Sequence, residues 1–174
     1  MPAEVDLFWT GPEVCSESIS APHLQEVSSR FGRRLTLWDN YPVNDGAQRS
    51  ERLYLQPLAG RDRAGQDYID GHFCNPMNQA WCSLPALLGL ADLYGENGES
   101  GVDGDWLGQE LGEPVWAQLQ QNQREFREAG LAGMGPGRCA ELAGIYAALP
   151  GPAAAEVVAW LRGEYTFDPA CLTA

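Results

Sequence analysis

Three times in its first 94 residues, the chain passes from a short apolar run into a polar turn and then into a helical pattern. The runs with their turns lie at 5–12, 35–45 and 71–78. Their spacing of roughly 30 residues suits one strand and one helix per unit. The repetition predicts a parallel α/β sheet whose ligand-binding loops follow the carboxyl ends of the strands, as on the active face of a (β/α)8 barrel.

The second of these turns carries the densest group of side chains that suit a ligand. Trp38 offers a flat apolar wall, and Asn40, Asn44 and Asp45 offer amide and carboxylate groups. A sugar has one apolar face and a rim of hydroxyls, so this combination is typical of a sugar site. The alternative is a turn rich in Asn and Asp whose side chains only satisfy backbone groups.

Two acids near a bound sugar also suggest glycosidic chemistry, with Asp39 and Asp45 as the pair. Six residues of separation in a loop permit the distance that such chemistry needs but do not impose it. Alternation along the strand predicts that Asp39 points away from the side of Trp38. We therefore expect no independent catalysis by this pair.

Three motifs carry a resemblance to a known family. They are Trp9-Thr10-Gly11-Pro12, Trp38-Asp39-Asn40-Tyr41-Pro42-Val43-Asn44-Asp45 and Asn75-Pro76-Met77-Asn78. In the order, spacing and residue identity of these motifs, residues 5–94 resemble glycoside hydrolase family 84, the β-N-acetylglucosaminidases that include the O-GlcNAc hydrolases. The helical remainder resembles, more weakly, the C-terminal helical part of bacterial members.

The resemblance implies roles for four residues. By it, Trp38 lines the pocket for the N-acetyl group, Asn40 contacts the substrate, and Asp45 and Asn75 bind sugar hydroxyls. None of the four is the family's acid or base. The resemblance also implies a substrate that contains N-acetylglucosamine and no cofactor. It predicts an α/β fold made of the last three βα units of a (β/α)8 TIM-type barrel, followed by a small helical bundle.

The chain departs from the family at the catalytic acids. Family members carry an adjacent Asp-Asp pair after the fourth barrel strand. One carboxylate orients the substrate's own acetamide, which is the nucleophile of a retaining reaction, and the other protonates the leaving oxygen. This chain has no Asp-Asp dipeptide and no lysine. The resemblance thus implies that the chain begins just before the sixth strand, holds no catalytic residue and is inactive in isolation.

Two functions of different classes are therefore open. The first is part of a β-N-acetylglucosaminidase that is active when joined to the segment with the acids. The second is a non-catalytic N-acetylglucosamine-binding remnant that uses Trp38, Asn40, Asp45 and Asn75. An upstream reading frame that encodes the Asp-Asp strand would favour the first.

The pattern divides the chain into three parts. Residues 1–95 hold the three strand–loop–helix units, 96–105 form an acidic, glycine-rich linker, and 106–174 form a helical subdomain. Helices joined by Gly and Pro turns are typical of a small bundle.

Helix signals mark each part. Ser20 and Gly32 bound a helix in which Leu24, Val27 and Phe31 share one face. A second helical pattern covers 79–94, with Pro85 as a kink or an early boundary. Three more helices are predicted at about 114–129, from Pro136 and from Pro152.

Charge and cysteine content narrow the partners. The chain has 11 basic and 24 acidic residues and a net charge of −13, which argues against binding of nucleic acid.

The chain has five cysteines, an odd number, and their spacing is not that of metal ligands. This suggests that the cysteines are free thiols in a reducing compartment. His23, His72 and Cys74 are the conceivable metal ligands, but a zinc site needs three or four that converge, so we predict no metal. The sequence shows no leader or membrane span, which predicts a cytoplasmic location and no membrane partner.

Three parallel strands leave two open sheet edges, which tend to pair with further strands. We expect the isolated chain to pair with a missing N-terminal half, to associate with itself, or to be only marginally folded. Sedimentation and chemical unfolding at several protein concentrations measure this directly. A cooperative unfolding transition of a monomer that does not depend on concentration would contradict the expectation.

Overall fold

A computed structural model describes residues 5–96, 101–102 and 105–164. The part of the chain that it describes contains three strands and six helices. They are β1 (Phe8–Trp9), α1 (Ala21–Phe31), β2 (Leu35–Asp39), β3 (Ile69–Cys74), α2 (Leu84–Tyr94), α3 (Trp106–Leu111), α4 (Glu113–Glu128), α5 (Gly130–Ala147) and α6 (Pro152–Leu161). Short 3-10 turns precede β3 at Arg63–Tyr68 and α2 at Trp81–Ser83.

The strands form one parallel sheet in the order β1-β2-β3. Phe8 pairs with Thr36, and Trp38 pairs with Phe73. The α/β class and the parallel sheet predicted from the sequence are therefore confirmed. The continuation of the sheet as part of a barrel stays a prediction.

The two faces of the sheet differ in what covers them. On one face, Leu35, Leu37 and Ile69 are buried against Leu24 and Val27 of α1. On the other face, large aromatic side chains stay exposed to solvent. They are Phe8, Trp38 and Phe73, which we call the aromatic face. Strand alternation explains the division, because successive side chains point to opposite sides of the sheet.

Helix α1 has the caps that its sequence predicts. Ser20 lies before its first turn and accepts a hydrogen bond from the backbone of His23, and Gly32 ends it in the left-handed region at φ 66°. Leu24 and Val27 face the core as predicted, but the prediction for Phe31 is wrong, because its side chain is 47% exposed. Phe31 is the last helical residue, next to the turn at Gly32 that takes the chain away.

The larger core joins the helices to the loops that follow the sheet. Phe126, Tyr146 and Trp160 are fully buried, and the rings of Phe126 and Trp160 meet edge to face at 5.1 Å. Leu53 and Leu55 belong to the same core, and the indole nitrogen of Trp160 donates to the carbonyl of Ser50 at 3.0 Å. The loop after β2 is thus held by the helices.

The predicted division into 1–95, 96–105 and 106–174 stays a prediction. Residues 97–100 and 103–104 of the predicted linker lie outside the described residues, as does Cys171. No helix in the described ranges has both the length and the apolar character that crossing a bilayer requires.

Two helical segments are absent from the sequence prediction. One is α3, and the other is the first part of α5, from Gly130 to a break at Gly135. The second part of α5 begins after that break, at Pro136, as predicted. The run of glycines before Pro136 is typical of a turn, and Gly135 does leave the helical region at φ 72°. Tertiary contacts nevertheless hold the first turn of α5, because the backbone of Leu131 donates to the carbonyl of Glu51 at 2.9 Å.

Replacement of Phe126 by Ala should lower the free energy of unfolding by about 3–5 kcal/mol, because it opens a cavity among fully buried rings. Phe31→Ala is the matched control, since the same side chain is lost from an exposed helical position, and it should cost about 0.5 kcal/mol or less. Urea unfolding followed by circular dichroism measures both. Equal losses for the two variants would contradict this assignment of the core.

Candidate functional site

The loop after β2 is anchored by Asn44, whose side chain is fully buried. Its amide nitrogen donates to the carbonyl of Arg52 at 3.1 Å and to the side-chain oxygen of Gln79 at 2.8 Å. Its oxygen accepts from the backbone of Asn78 at 3.0 Å. Asn44 thus ties the loop to the segment after β3, and the role of a ligand-binding group suggested by the sequence is wrong for this residue.

Three of the four predicted binding residues converge at the carboxyl ends of β2 and β3. The side-chain oxygen of Asn40 accepts hydrogen bonds from the indole of Trp38 and the amide of Asn75, each at 3.1 Å. The amide nitrogen of Asn40 donates to the carbonyl of Val14 at 2.8 Å. Asn40 is buried, so its carboxamide positions the more exposed Trp38 and Asn75 from behind.

Asp45, the fourth predicted residue, lies further along the same loop. It is half-buried and follows the anchored Asn44 directly. The loop is therefore held on both sides of the turn, by Asn40 at its start and by Asn44 before Asp45. Sugar contacts by Trp38, Asn40, Asp45 and Asn75 stay a prediction.

The aromatic face extends the apolar wall that Trp38 offers. The ring of Phe8 lies 6.0 Å from that of Trp38, in an edge-to-face arrangement, and 6.2 Å from that of Phe73. Sequence reasoning did not assign Phe8 or Phe73 to the site. The signal was present in the alternation of β3, which places Phe73 and Asn75 on one side of the sheet.

Asp39 lies on the opposite side of β2, as strand alternation predicts. It is 1% exposed, and Arg61 binds both of its oxygens, with Nε and Nη2 each at 2.6 Å. The ring nitrogen Nε2 of His72 lies 3.1 Å from the same carboxylate, and the other ring nitrogen lies 2.8 Å from the hydroxyl of Tyr94. Sequence reasoning did not foresee this cluster, because its members come from four separate segments.

The electrostatics of this cluster exclude Asp39 as a general acid. Burial raises the pKa of Asp39, but the hydrogen bonds from Arg61 and His72 outweigh it and leave the pKa below its usual value. A general acid at neutral pH needs the opposite shift. Asp39 is therefore an ionised structural group.

The conceivable metal ligands are engaged elsewhere. His23 accepts a hydrogen bond from the indole of Trp9 at 3.1 Å, and His72 pairs with Asp39. Burial, together with the charge of Asp39, raises the pKa of Cys74 to about 12, so its thiol stays protonated at neutral pH. A protonated thiol is a poor ligand for zinc.

Comparison with known proteins identifies the relatives of this chain. Residues 1–109 match the sequence profile of the β-N-acetylglucosaminidase family. The chain is 33% identical over 93 residues to Protein O-GlcNAcase of Rattus norvegicus and equally to that of Mus musculus, which covers 53% of this chain but 10% of each relative. The chain thus spans a small part of the length of these relatives.

Solved structures that resemble this chain include an O-GlcNAc hydrolase, as do its sequence relatives. A mutant O-GlcNAc hydrolase of Thermobaculum terrenum matches with a TM-score of 0.64 and 27% identity, over 95% of this chain and 42% of the other. The structure of CpGH84B shares the fold with a TM-score of 0.58 and 19% identity, over 91% of this chain and 34% of the other.

Loss of the Asp39 carboxylate should destabilise the chain, because Arg61 and His72 would keep a buried site without their anion. We expect Asp39→Asn to lower the free energy of unfolding at pH 7 by about 3–5 kcal/mol. Asp70→Asn is the matched control, since Asp70 pairs with Arg34 at the surface, with the two side chains 59% and 49% exposed. It should cost about 1 kcal/mol or less.

The pH dependence tests the same assignment. Because the pKa of Asp39 is lowered on folding, its stabilisation is complete well above the ordinary aspartate pKa of about 3.9. It is lost as the pH falls through the lower pKa of the folded chain. The gap in unfolding free energy between wild type and Asp39→Asn should therefore narrow in acid. A gap that stays constant down to the acid limit of folding would contradict the role of Asp39.

Proposed function

This chain belongs to the β-N-acetylglucosaminidase family, and on that basis we propose that it forms the sugar-binding side of a glycoside hydrolase site. The substrate is a terminal, β-linked N-acetylglucosamine. Trp38, Asn40, Asp45 and Asn75 are the binding residues. The observation that carries this proposal is the convergence of Trp38 and Asn75 on the buried carboxamide of Asn40.

The chemistry of these side chains fits a pyranose. Trp38 keeps 42% of its surface exposed although its indole nitrogen is held, so its ring is presented in a defined orientation. An oriented aromatic ring suits the apolar face of a sugar, and the neighbouring amide and carboxylate suit its hydroxyls. Asn40 acts in this proposal mainly by fixing the two groups around it.

The partial barrel is part of the proposal. Parallel strands in sequential order, with α1 covering one face and aromatic rings on the other, suit the last three βα units of a (β/α)8 barrel. In such a barrel the aromatic face would point inward and the loops after the strands would surround the ligand. The two edges of the sheet, at β1 and β3, are where further strands would pair.

The catalytic acids are proposed to come from a segment outside this chain. Asp39 is engaged with Arg61, and the sequence contains no adjacent Asp pair. The resemblance implies a retaining reaction in which the substrate's acetamide is the nucleophile. In this scheme Trp38 would line the acetamide pocket, while Asp45 and Asn75 would hold the sugar ring through its hydroxyls.

A non-catalytic remnant that binds N-acetylglucosamine is the second candidate. The same observations on the acids favour it, because a chain that binds sugar and has no acid pair nearby would keep affinity without turnover. Neither candidate function determines the cellular compartment of the chain, so a cytoplasmic location stays a prediction.

Binding of N-acetylglucosamine to the purified chain, measured by calorimetry, tests the site. Trp38→Ala and Asp45→Ala should each weaken binding about tenfold or more without changing the circular dichroism spectrum. Trp81→Ala is the matched control for the first, because Trp81 is similarly exposed, at 38%. Asp67→Ala, at an exposed aspartate, is the control for the second. Unchanged binding in either site variant removes that residue from the site.

Turnover of a fluorogenic N-acetyl-β-glucosaminide separates the two candidate functions. We expect none from this chain alone. Turnover after addition of a segment with the Asp-Asp pair supports the enzyme, and binding without turnover in that mixture supports the remnant. Turnover by the chain alone that disappears in Asp45→Ala would contradict the proposal that the acids lie elsewhere.

A further inference from the structure

A polar cleft of about 880 Å³ lies beside the loop that carries the proposed sugar site. It is bounded by the loop after β2, the segment 56–61 and the last turn of α4. Its volume is in the range of sites that hold small organic ligands. Four arginines line it, namely Arg49, Arg52, Arg61 and Arg127. Among the described residues that line it, Glu17 is the single carboxylate.

These four arginines form a local group of positive charge in a chain with 24 acidic and 11 basic residues. With acids in such excess, arginines find carboxylate partners readily. In the described ranges, Arg30, Arg34, Arg124 and Arg138 form ion pairs outside the cleft, and Arg61, which lines the cleft, pairs with Asp39. Within those ranges no ion pair involves Arg49, Arg52 or Arg127. Three guanidinium groups without a carboxylate thus share one cleft.

Backbone and aromatic contacts hold the guanidinium of Arg49 in place. Its Nε donates to the carbonyl of Val43 at 2.7 Å, and its planar group stacks over the ring of Tyr54 at 4.5 Å. A guanidinium that is stacked and bonded through Nε still has its two terminal nitrogens, which together match a carboxylate or a phosphate. Little rotamer freedom would be lost on binding.

Arg127 and Arg52 are held from the other side of the cleft. Nη1 of Arg127 donates to the side-chain oxygen of Gln56 at 3.1 Å, and Nε of Arg52 donates to the carbonyl of Arg127 at 3.0 Å. The hydroxyl of Tyr41 donates to the carbonyl of Gln56 at 2.7 Å. Burial raises the pKa of Tyr41, and Arg127 and Arg49 oppose that shift, so both guanidiniums act on this one phenol.

The fourth arginine shows how this wall binds an oxyanion. Arg61 holds the carboxylate of Asp39 through two nitrogens at 2.6 Å each, and so its charge is already neutralised. The cleft then has three further guanidiniums, of Arg49, Arg52 and Arg127, and one carboxylate, of Glu17. Its net charge is therefore positive, although the chain as a whole is strongly acidic. A ligand with one charge would neutralise only part of this excess.

We propose that this cleft binds a small ligand that carries two or more carboxylate or phosphate groups, with Arg49 and Arg127 as its principal contacts. Arg52 supports Arg127 and adds charge. The argument for this site does not depend on the proposed sugar site. The two sites share Asn40, which also lines the cleft, and the loop that continues to Tyr41.

Calorimetric titration of the whole chain at low ionic strength tests the proposal, with citrate and pyrophosphate as probes and acetate as the monovalent comparison. Citrate or pyrophosphate should bind with one-to-one stoichiometry and more tightly than acetate. Tighter citrate binding assigns carboxylates to the ligand, and tighter pyrophosphate binding assigns phosphates. Either result supports the site. Failure of both probes to bind at millimolar concentration overturns it.

Variants locate the binding. Arg49→Gln and Arg127→Gln should each weaken the tighter probe about tenfold or more. Arg124→Gln is the matched control, because Arg124 lies on the same helix as Arg127 and is also exposed, but it is not among the residues that line the cleft and it pairs with Glu128 at 3.0 Å. It should bind like wild type. Arg127 is exposed, so its variant should fold even if Arg49→Gln does not. Equal weakening by Arg124→Gln and Arg127→Gln would mean attraction by general surface charge and would overturn the proposal.

One further variant keeps this test apart from the sugar site. Trp38→Ala should bind the anion like wild type, and Arg127→Gln should bind N-acetylglucosamine like wild type. Loss of sugar binding alone would therefore refute only the proposed function. Loss of anion binding in Trp38→Ala would show that the anion occupies the sugar site, and would overturn a separate cleft.

Discussion

The buried pair of Asp39 and Arg61 is the contact on which the arrangement of the site depends. Arg61 binds both oxygens of Asp39 and also donates to the carbonyls of Ser16, Glu17 and Ala59. One guanidinium therefore joins the end of β2, the loop after β1 and the segment that leads toward β3. Since desolvation of these charges is costly, the pair is stable only while all its partners are in place.

The two faces of β2 have different roles, one structural and one exposed to solvent. Asp39, on the face of α1, fixes the ends of the strands through Arg61 and His72. Trp38, one residue earlier, stands on the aromatic face and is free to meet a ligand. The carboxylate that follows Trp38 in the chain is thus a structural group. One position along β2 separates Trp38, the proposed sugar wall, from the buried ion pair of Asp39.

The helices contribute to the proposed sugar site through the loop after β2 rather than through side chains of their own. Trp160 holds the carbonyl of Ser50, and Leu53 and Leu55 enter the core formed by the helices. The loop that carries Asp45, Arg49 and Arg52 is therefore held at its far end. The loop after β2 is long but keeps a defined shape, because its apolar residues are buried and the side chain of Asn44 donates to its backbone.

The sequence by itself determined the class of the fold, the parallel strands, the caps of α1 and the two strand ends at which Trp38, Asn40 and Asn75 meet. These features depend on local chemistry: strand alternation, capping residues and motifs that are continuous along the chain. Only the tertiary structure decided the roles of Arg61 and Asn44, the aromatic partners of Trp38, and the grouping of Arg49 with Arg127. Such contacts join residues far apart in the chain, and their energies come from burial and charge pairing, which no local pattern records.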